Sequence, residues 1–189
     1  MKMGKKLSSI LLILVMAVCL LSGCGKKDST KNTTLEGTWE IRERIVTVDG
    51  VKDEEDSVIL PYKKPIDGVD GVEVIMQQYM QFKNGKVKLF MKITLIGEVP
   101  GVSEGMDGVY LVQEDEYSVK DNTITVLSKD EEGNDSEEKV KVTYTIKGNE
   151  LTMTSLNQSE LGERVTVVKL IKVSDSEVAG AIEGPLPFE

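Results

Sequence analysis

The chain contains no histidine, which removes Ser-His-Asp and Cys-His catalysis and every imidazole metal site. Cysteine is almost as scarce: Cys19 and Cys24 are the only two, both near the N-terminus, so packing rather than a disulfide must hold the folded part together. Aromatic residues make up 5% of the chain, with a single tryptophan, Trp39; a rigid, aromatic-lined cup is not expected. Positive charge is in deficit, 23 Lys and Arg against 32 Asp and Glu, for a formal net charge of −9. Phosphate binding needs a basic footprint, so nucleic acid is not an expected partner. From residue 35 onward no stretch keeps helical spacing beyond a turn or two, which excludes a helical core.

What is present begins with a targeting segment. Lys2, Lys5 and Lys6 precede an unbroken apolar run over residues 10–21, a length that suits a secretory signal and falls short of the ~20 residues needed to span a bilayer. The run ends in Leu21-Ser22-Gly23-Cys24, which resembles the lipobox of bacterial lipoproteins. That resemblance implies cleavage before Cys24 and thioether lipidation of its sulfur. Two acyl chains anchor stably where one holds only marginally, because each buried CH₂ contributes about 0.8 kcal/mol.

Residues 1–23 are therefore expected to be a lipoprotein signal peptide, and residues 24–35 the lipidated Cys24 with a polar tether. A flexible linker of that length reaches on the order of 20 Å. The expected location is outside the cytoplasm, on the outer face of a bacterial membrane, with membrane lipid as the partner of acylated Cys24. Loss of the leader removes three lysines and no acid, so the remaining chain is more acidic still. It is long enough for one domain with a core of its own.

Eight strands are expected, over residues 38–48, 72–82, 87–96, 109–119, 123–128, 140–146, 151–156 and 165–173. In the third, Val87, Leu89, Met91, Ile93 and Leu95 alternate with mostly polar neighbours, so one face is apolar and turns to a core. Asp49-Gly50 and Asn84-Gly85 are hairpin dipeptides, and Lys120-Asp121-Asn122 and Lys147-Gly148-Asn149 are short turns; sequence neighbours should pair antiparallel, as a meander. Residues 51–71 and 98–107 are the two long connections, and long loops are usually functional or disordered. Residues 174–189 are expected to be a tail, with Ser174 capping one short helix through about Ile182.

A meander that opens with Leu35-Glu36-Gly37-Thr38-Trp39 resembles the lipocalin-like, calycin-type domains of bacterial lipoproteins. Phe82-Lys83-Asn84-Gly85-Lys86 and the stretch Tyr144-Thr145-Ile146-Lys147-Gly148-Asn149-Glu150-Leu151 resemble hairpins of that family. The resemblance implies an all-β, eight-stranded antiparallel barrel over residues 36–173, with Trp39 plugging its closed end; a two-sheet sandwich fits the same alternation. One departure stands out. The family's pattern places an arginine of the last strand against the tryptophan, and here only Lys169 or Lys172 is available.

The implied function is non-enzymatic: a barrel that binds a small apolar ligand, or a cell-surface module with a filled barrel whose partner is a protein of the envelope. No cofactor or metal is expected. The acidic run of residues 130–135 puts its glycine fourth rather than sixth and lacks the alternation of an EF-hand loop. That run is read as a solvated hairpin tip, and residues 53–56 have the same solvated reading. Among carboxylates, Glu43 is the inward candidate, in phase with Trp39, Ile41 and Ile45. For an apolar ligand the expected contacts are Met76, Met80 and Met91, whose flexible thioethers adapt to irregular surfaces, with Tyr144. Leu60 and Tyr62 would lie on the underside of a lid formed by the 51–71 connection. The inward set also includes Val74, Leu89, Ile93, Val142, Ile146 and Met153, most of them large enough to fill the space they line.

Overall fold

Strands with one apolar face bury it most completely by curling round on one another, and the sequence follows that course. The computed structural model describes residues 34–65, 71–97, 107–129, 135–159, 162–184 and 186. The expected signal peptide, Cys24 and most of the expected tether lie outside these residues, as do most of the 98–107 connection and most of the acidic run, residues 130–134. The described strands are β1 (Gly37–Val48), β2 (Val51–Ile59), β3 (Tyr62–Pro65), β4 (Glu73–Lys83), β5 (Lys86–Ile96), β6 (Gly108–Lys120), β7 (Thr123–Lys129), β8 (Asp135–Lys147), β9 (Glu150–Ser159), β10 (Gly162–Val173) and β11 (Ile182–Glu183).

From β4 to β10 each strand pairs antiparallel with the next, and β10 pairs with β1. The ring closes where Thr38 to Glu40 of β1 lie against Gln81 to Tyr79 of β4. The result is a closed eight-stranded antiparallel barrel, consistent with a calycin-like fold. Closure excludes the sandwich. Three of its hairpins turn at one end through two residues each, and Asn84 and Gly85 show why those residues are there: both sit at positive φ, 54° and 75°, the geometry that matches the twist of paired strands.

That end is plugged. Trp39 is fully buried, its Nε1 donates to the Leu35 carbonyl at 2.7 Å, and Ile41, Phe82, Ile124, Leu151 and Leu170 pack around it. The basic residue over the ring is Lys172, whose Nζ lies 4.7 Å from its centre; Lys169 instead pairs with Glu43 at 2.6 Å. The glycine of Gly37-Thr38-Trp39 is required by the same packing. Its φ is 119°, which strains any residue with a side chain, and a Cβ there would also meet Lys172 Cε at 2.9 Å and push the lysine from its place.

Three expectations are corrected. The 51–71 stretch is not a free lid: above their short pairing β1 and β4 diverge, and the chain fills the fork, descending as β2 along β1 and returning as β3 along β4. The polar run Asp53-Glu54-Glu55-Asp56 hid this because β2 is an end strand whose faces need not alternate cleanly. Glu43 points outward rather than in. A β-bulge between Ile41 and Glu43 shifts the phase by one residue, so Arg44 and Val46 succeed Ile41 on the inner face. The tail forms only a 3₁₀ turn, Asp175–Val178, capped by Ser174, and then β11, which runs parallel to β6.

That tail is a strap across the outside of the barrel. Val178 packs on the outward Tyr79 and Phe90 with Leu111 and Ala181, while Asp175 accepts from Thr38 Oγ1 at 2.7 Å. β6 pairs with β7 only from Glu116 to Lys120, and β11 lies against Tyr110 and Leu111 of β6 instead.

Candidate functional site

The barrel interior has two packed regions and a gap. Around Trp39 the main cluster fills the closed end. Toward the other end Val74, Ile93 and Tyr110 form a second cluster, joined by Met76, Met91 and Leu95. Within the main cluster, on the side of β4 to β9, lies a cavity of about 90 Å³ lined by Met80, Leu89, Val126, Val140, Val142 and Met153, with Phe82, Val87 and Ile124 on its closed-end side. Two polar side chains enter this apolar wall, Gln113 and Asp115.

They are neighbours on the inner face of β6. Gln113 lies opposite Leu89 and Asp115 opposite Val87, and Gln113 Nε2 donates to Asp115 Oδ2 at 2.6 Å. Glu114, between them, points outward and takes Lys88 Nζ at 2.5 Å and Lys86 as well, which holds its carboxyl below the usual range. Among the described residues no lysine or arginine forms an ion pair with Asp115, and Gln113 is its hydrogen-bond partner. Burial therefore pushes the Asp115 carboxyl above its usual range, and the Gln113 hydrogen bond pulls it only partly back, because the charged form loses its water without gaining a counter-ion.

Of the expected contacts, Met80 alone lines the cavity. Met76 and Met91 are packed into the second cluster. Leu60 is buried at the fork of β1 and β4, in the main cluster, with its amide on the Arg42 carbonyl at 2.9 Å. Tyr62 is 40% exposed opposite Met76. Tyr144 packs against the main cluster and lines a separate groove across the closed end with Leu35, Tyr117 and Val119. Tyr117 is also held there, pushed up to about 12 by burial and then by the adjoining Glu36. The cavity thus lies beside β6, and none of the described residues of the 51–71 stretch lines it.

Sequence reasoning missed Gln113 and Asp115, although a signal was present. Successive residues of a strand face opposite sides, so Glu114-Asp115-Glu116 cannot all face solvent; at least one carboxylate must enter the barrel. A bulge between Leu89 and Phe90 in the pairing of β5 with β6 decides which.

The acidic run on β2 is tied into the fold. Asp56 pairs with Arg164 and its carbonyl accepts from Arg44 Nε at 3.2 Å. Asp53 Oδ1 accepts from the amides of Glu55 and Asp56 at 3.1 and 3.2 Å, so the acidic run caps its own bend. Among the described residues no group of three or more Cys, Asp or Glu side chains is arranged to hold a metal ion, and no helix is long and apolar enough to cross a membrane. No protein-family model, no curated protein and no solved structure matches the chain.

Proposed function

We propose that the chain is a membrane-anchored extracytoplasmic lipoprotein whose barrel binds a small apolar ligand. The observation that carries the binding part is the apolar cavity enclosed by β4 to β9 within a closed barrel. Its volume, about 90 Å³, is well below the ~300 Å³ of a typical ligand pocket. The ligand is therefore small, or inserts only one end, with Met80 and Met153 able to re-pack around it because unbranched thioethers adjust cheaply. The anchoring part rests on the lipobox-like Leu21-Ser22-Gly23-Cys24 and on a polar stretch between it and the first strand.

A hydrophobic fluorescent dye should enter the purified full chain, be displaced by its native ligand, and be excluded by Val142→Phe, which fills the cavity from the wall. Native mass spectrometry should show a co-purified small mass. Absence of both would remove the carrier reading. Anchoring is tested separately: Cys24→Ala should move the protein from the membrane to the soluble fraction with its fold intact.

A second reading, an envelope interaction module, is favoured by the fork. Among the described residues β2 and β3 each end the sheet, and Val51 and Ile59 on β2 are 71% and 75% exposed. Free strand edges with apolar side chains accept a partner's strand. Ile59→Lys would abolish such capture and leave dye uptake unchanged.

A further inference from the structure

We propose that the cavity selects ligands carrying a protonated amine on a short apolar body, with Asp115 and Gln113 as the groups that receive the ammonium. This rests on the reading of the barrel as a ligand-binding site and names the chemistry of its ligand.

Val87, Leu89, Val126, Val140 and Val142 bring no polar atom to the cavity, so its polar character comes from one corner of β6. An ionised carboxylate offers about four lone-pair sites and no donor. Gln113 Nε2 occupies one of them at 2.6 Å, and the same amide contributes its own oxygen as a further acceptor. The corner is thus rich in acceptors and carries a negative charge to which no described cation is paired. Lys86 and Lys88, the nearest candidates on β5, are held by Glu114 on the outer face.

An ammonium is the complement of that corner, with three donors and no acceptor. A hydroxyl can donate once and leaves its own lone pairs poorly matched. A carboxylate, such as the head of a fatty acid, would set two like charges together beside an apolar wall, which is unfavourable. The cavity therefore discriminates by charge among ligands whose apolar parts fit equally well. Size limits the apolar part: a cavity of ~150 Å³ accommodates benzene, so the enclosed volume takes about four heavy atoms, and a longer chain must extend toward the opening.

A packed barrel would place an aliphatic residue at this position, as it does at Val87 opposite. Keeping an unpaired carboxylate there destabilises the empty protein, and binding of a cation relieves that penalty.

The test is a methyl-resolved NMR titration of the full chain, read at Met153 and Val142, with propylammonium and hexylammonium chloride, 1-propanol, 1-hexanol and sodium hexanoate. The amines should bind at least about tenfold more tightly than the matching alcohols, and hexanoate should not bind. Asp115→Asn, nearly isosteric, should bring amine and alcohol to within about twofold of one another. The comparison in the unaltered protein needs no variant, so misfolding of Asp115→Asn would not shelter the proposal. Alcohols that bind as tightly as amines would overturn it and leave the apolar-carrier reading standing. If none of the probes binds, both fall.

Discussion

Lys172 Nζ lies 4.7 Å from the centre of the Trp39 ring and donates to the carbonyls of Thr34 at 3.1 Å and Glu36 at 2.6 Å. One ammonium on the last barrel strand therefore joins three things: the π face of the plug, the segment that leads into the first strand, and the start of that strand. The indole is also held at its edge, by its own bond to the Leu35 carbonyl. A lysine thus occupies the place over the tryptophan that the resemblance assigned to an arginine, and its hydrogen bonds go to backbone carbonyls.

Lys172→Met keeps the aliphatic stem and removes the charge, so it isolates this contribution. Cation–π attraction and hydrogen bonds from a charged donor are each worth on the order of 1–2 kcal/mol when partly exposed, and the variant should lose about 1–3 kcal/mol in urea unfolding. Trp39 is the only tryptophan, so its emission reports the site directly and should change in the folded variant. An unchanged midpoint and unchanged emission would mean that the ammonium contributes nothing to the closed end.

The strap makes a different prediction. Val178 is 6% exposed and covers Tyr79 and Phe90 on the outer surface of β4 and β5. Tyr79 is pushed up to about 12, first by this burial and then by the charge of Glu177. Val178→Asp would bury a charge without a partner, so the strap should detach at a cost of at least about 2 kcal/mol. Limited proteolysis at Ala179-Gly180 should accelerate, and Tyr79 should ionise at lower pH in a spectrophotometric titration. Equal cleavage rates in both proteins would show that the strap is not held by this contact.

Much of this architecture was legible in the sequence because the information is local. The alternation at Val87, Leu89, Met91, Ile93 and Leu95 fixes a face, and Asn84-Gly85 fixes a hairpin, without knowledge of anything distant. What was not legible depends on register between strands. The bulge after Ile41 turned Glu43 outward to Lys169, a shift of one residue that reverses every later side chain on the strand. The fork filled by β2 and β3 was hidden because Asp53 to Asp56 look like a solvated loop until β1 is seen to provide a ladder for them. Gln113 and Asp115 were overlooked among neighbouring acids for the same reason: which member of the run faces inward is decided by pairing with β5.

The fork also separates two residues that the sequence had grouped as one lid. Leu60 is 6% exposed and Tyr62 40% exposed, so Leu60→Ala should destabilise by about 2–5 kcal/mol through the cavity it leaves. Tyr62→Ala should change stability by about 1 kcal/mol or less, as surface substitutions do. Neither residue lines the cavity beside β6, so dye affinity measured where both variants are fully folded should be unaltered. Loss of dye binding in Tyr62→Ala at full stability would return the ligand to the mouth beneath β2 and β3.

Asp115 gives the barrel a pH dependence opposite to that of an ion-paired carboxylate. Burial raises its folded-state pKa above the ordinary value of 3.8, so the folded protein holds this proton more tightly than the unfolded chain. Below the ordinary value both states are protonated and the residue is neutral in its effect. As pH rises through the interval between the ordinary and the raised value, the unfolded chain ionises first and stability falls; above the raised value the loss is complete and constant. The groups around it from the adjoining strands, Val87 on β5 and Val126 on β7, carry no charge, and Gln113 beside it does not titrate. Nearby Glu114 lies outside and is shifted in the other direction by Lys86 and Lys88. Asp115→Asn, uncharged throughout, should therefore melt at a higher temperature than the parent near about pH 7, and the difference should shrink toward zero near about pH 3. Thermal melts across that range, read by Trp39 fluorescence, decide the matter: a variant equally or less stable near about pH 7 would show that the carboxylate is already compensated inside the barrel, and that no cation is needed to satisfy it.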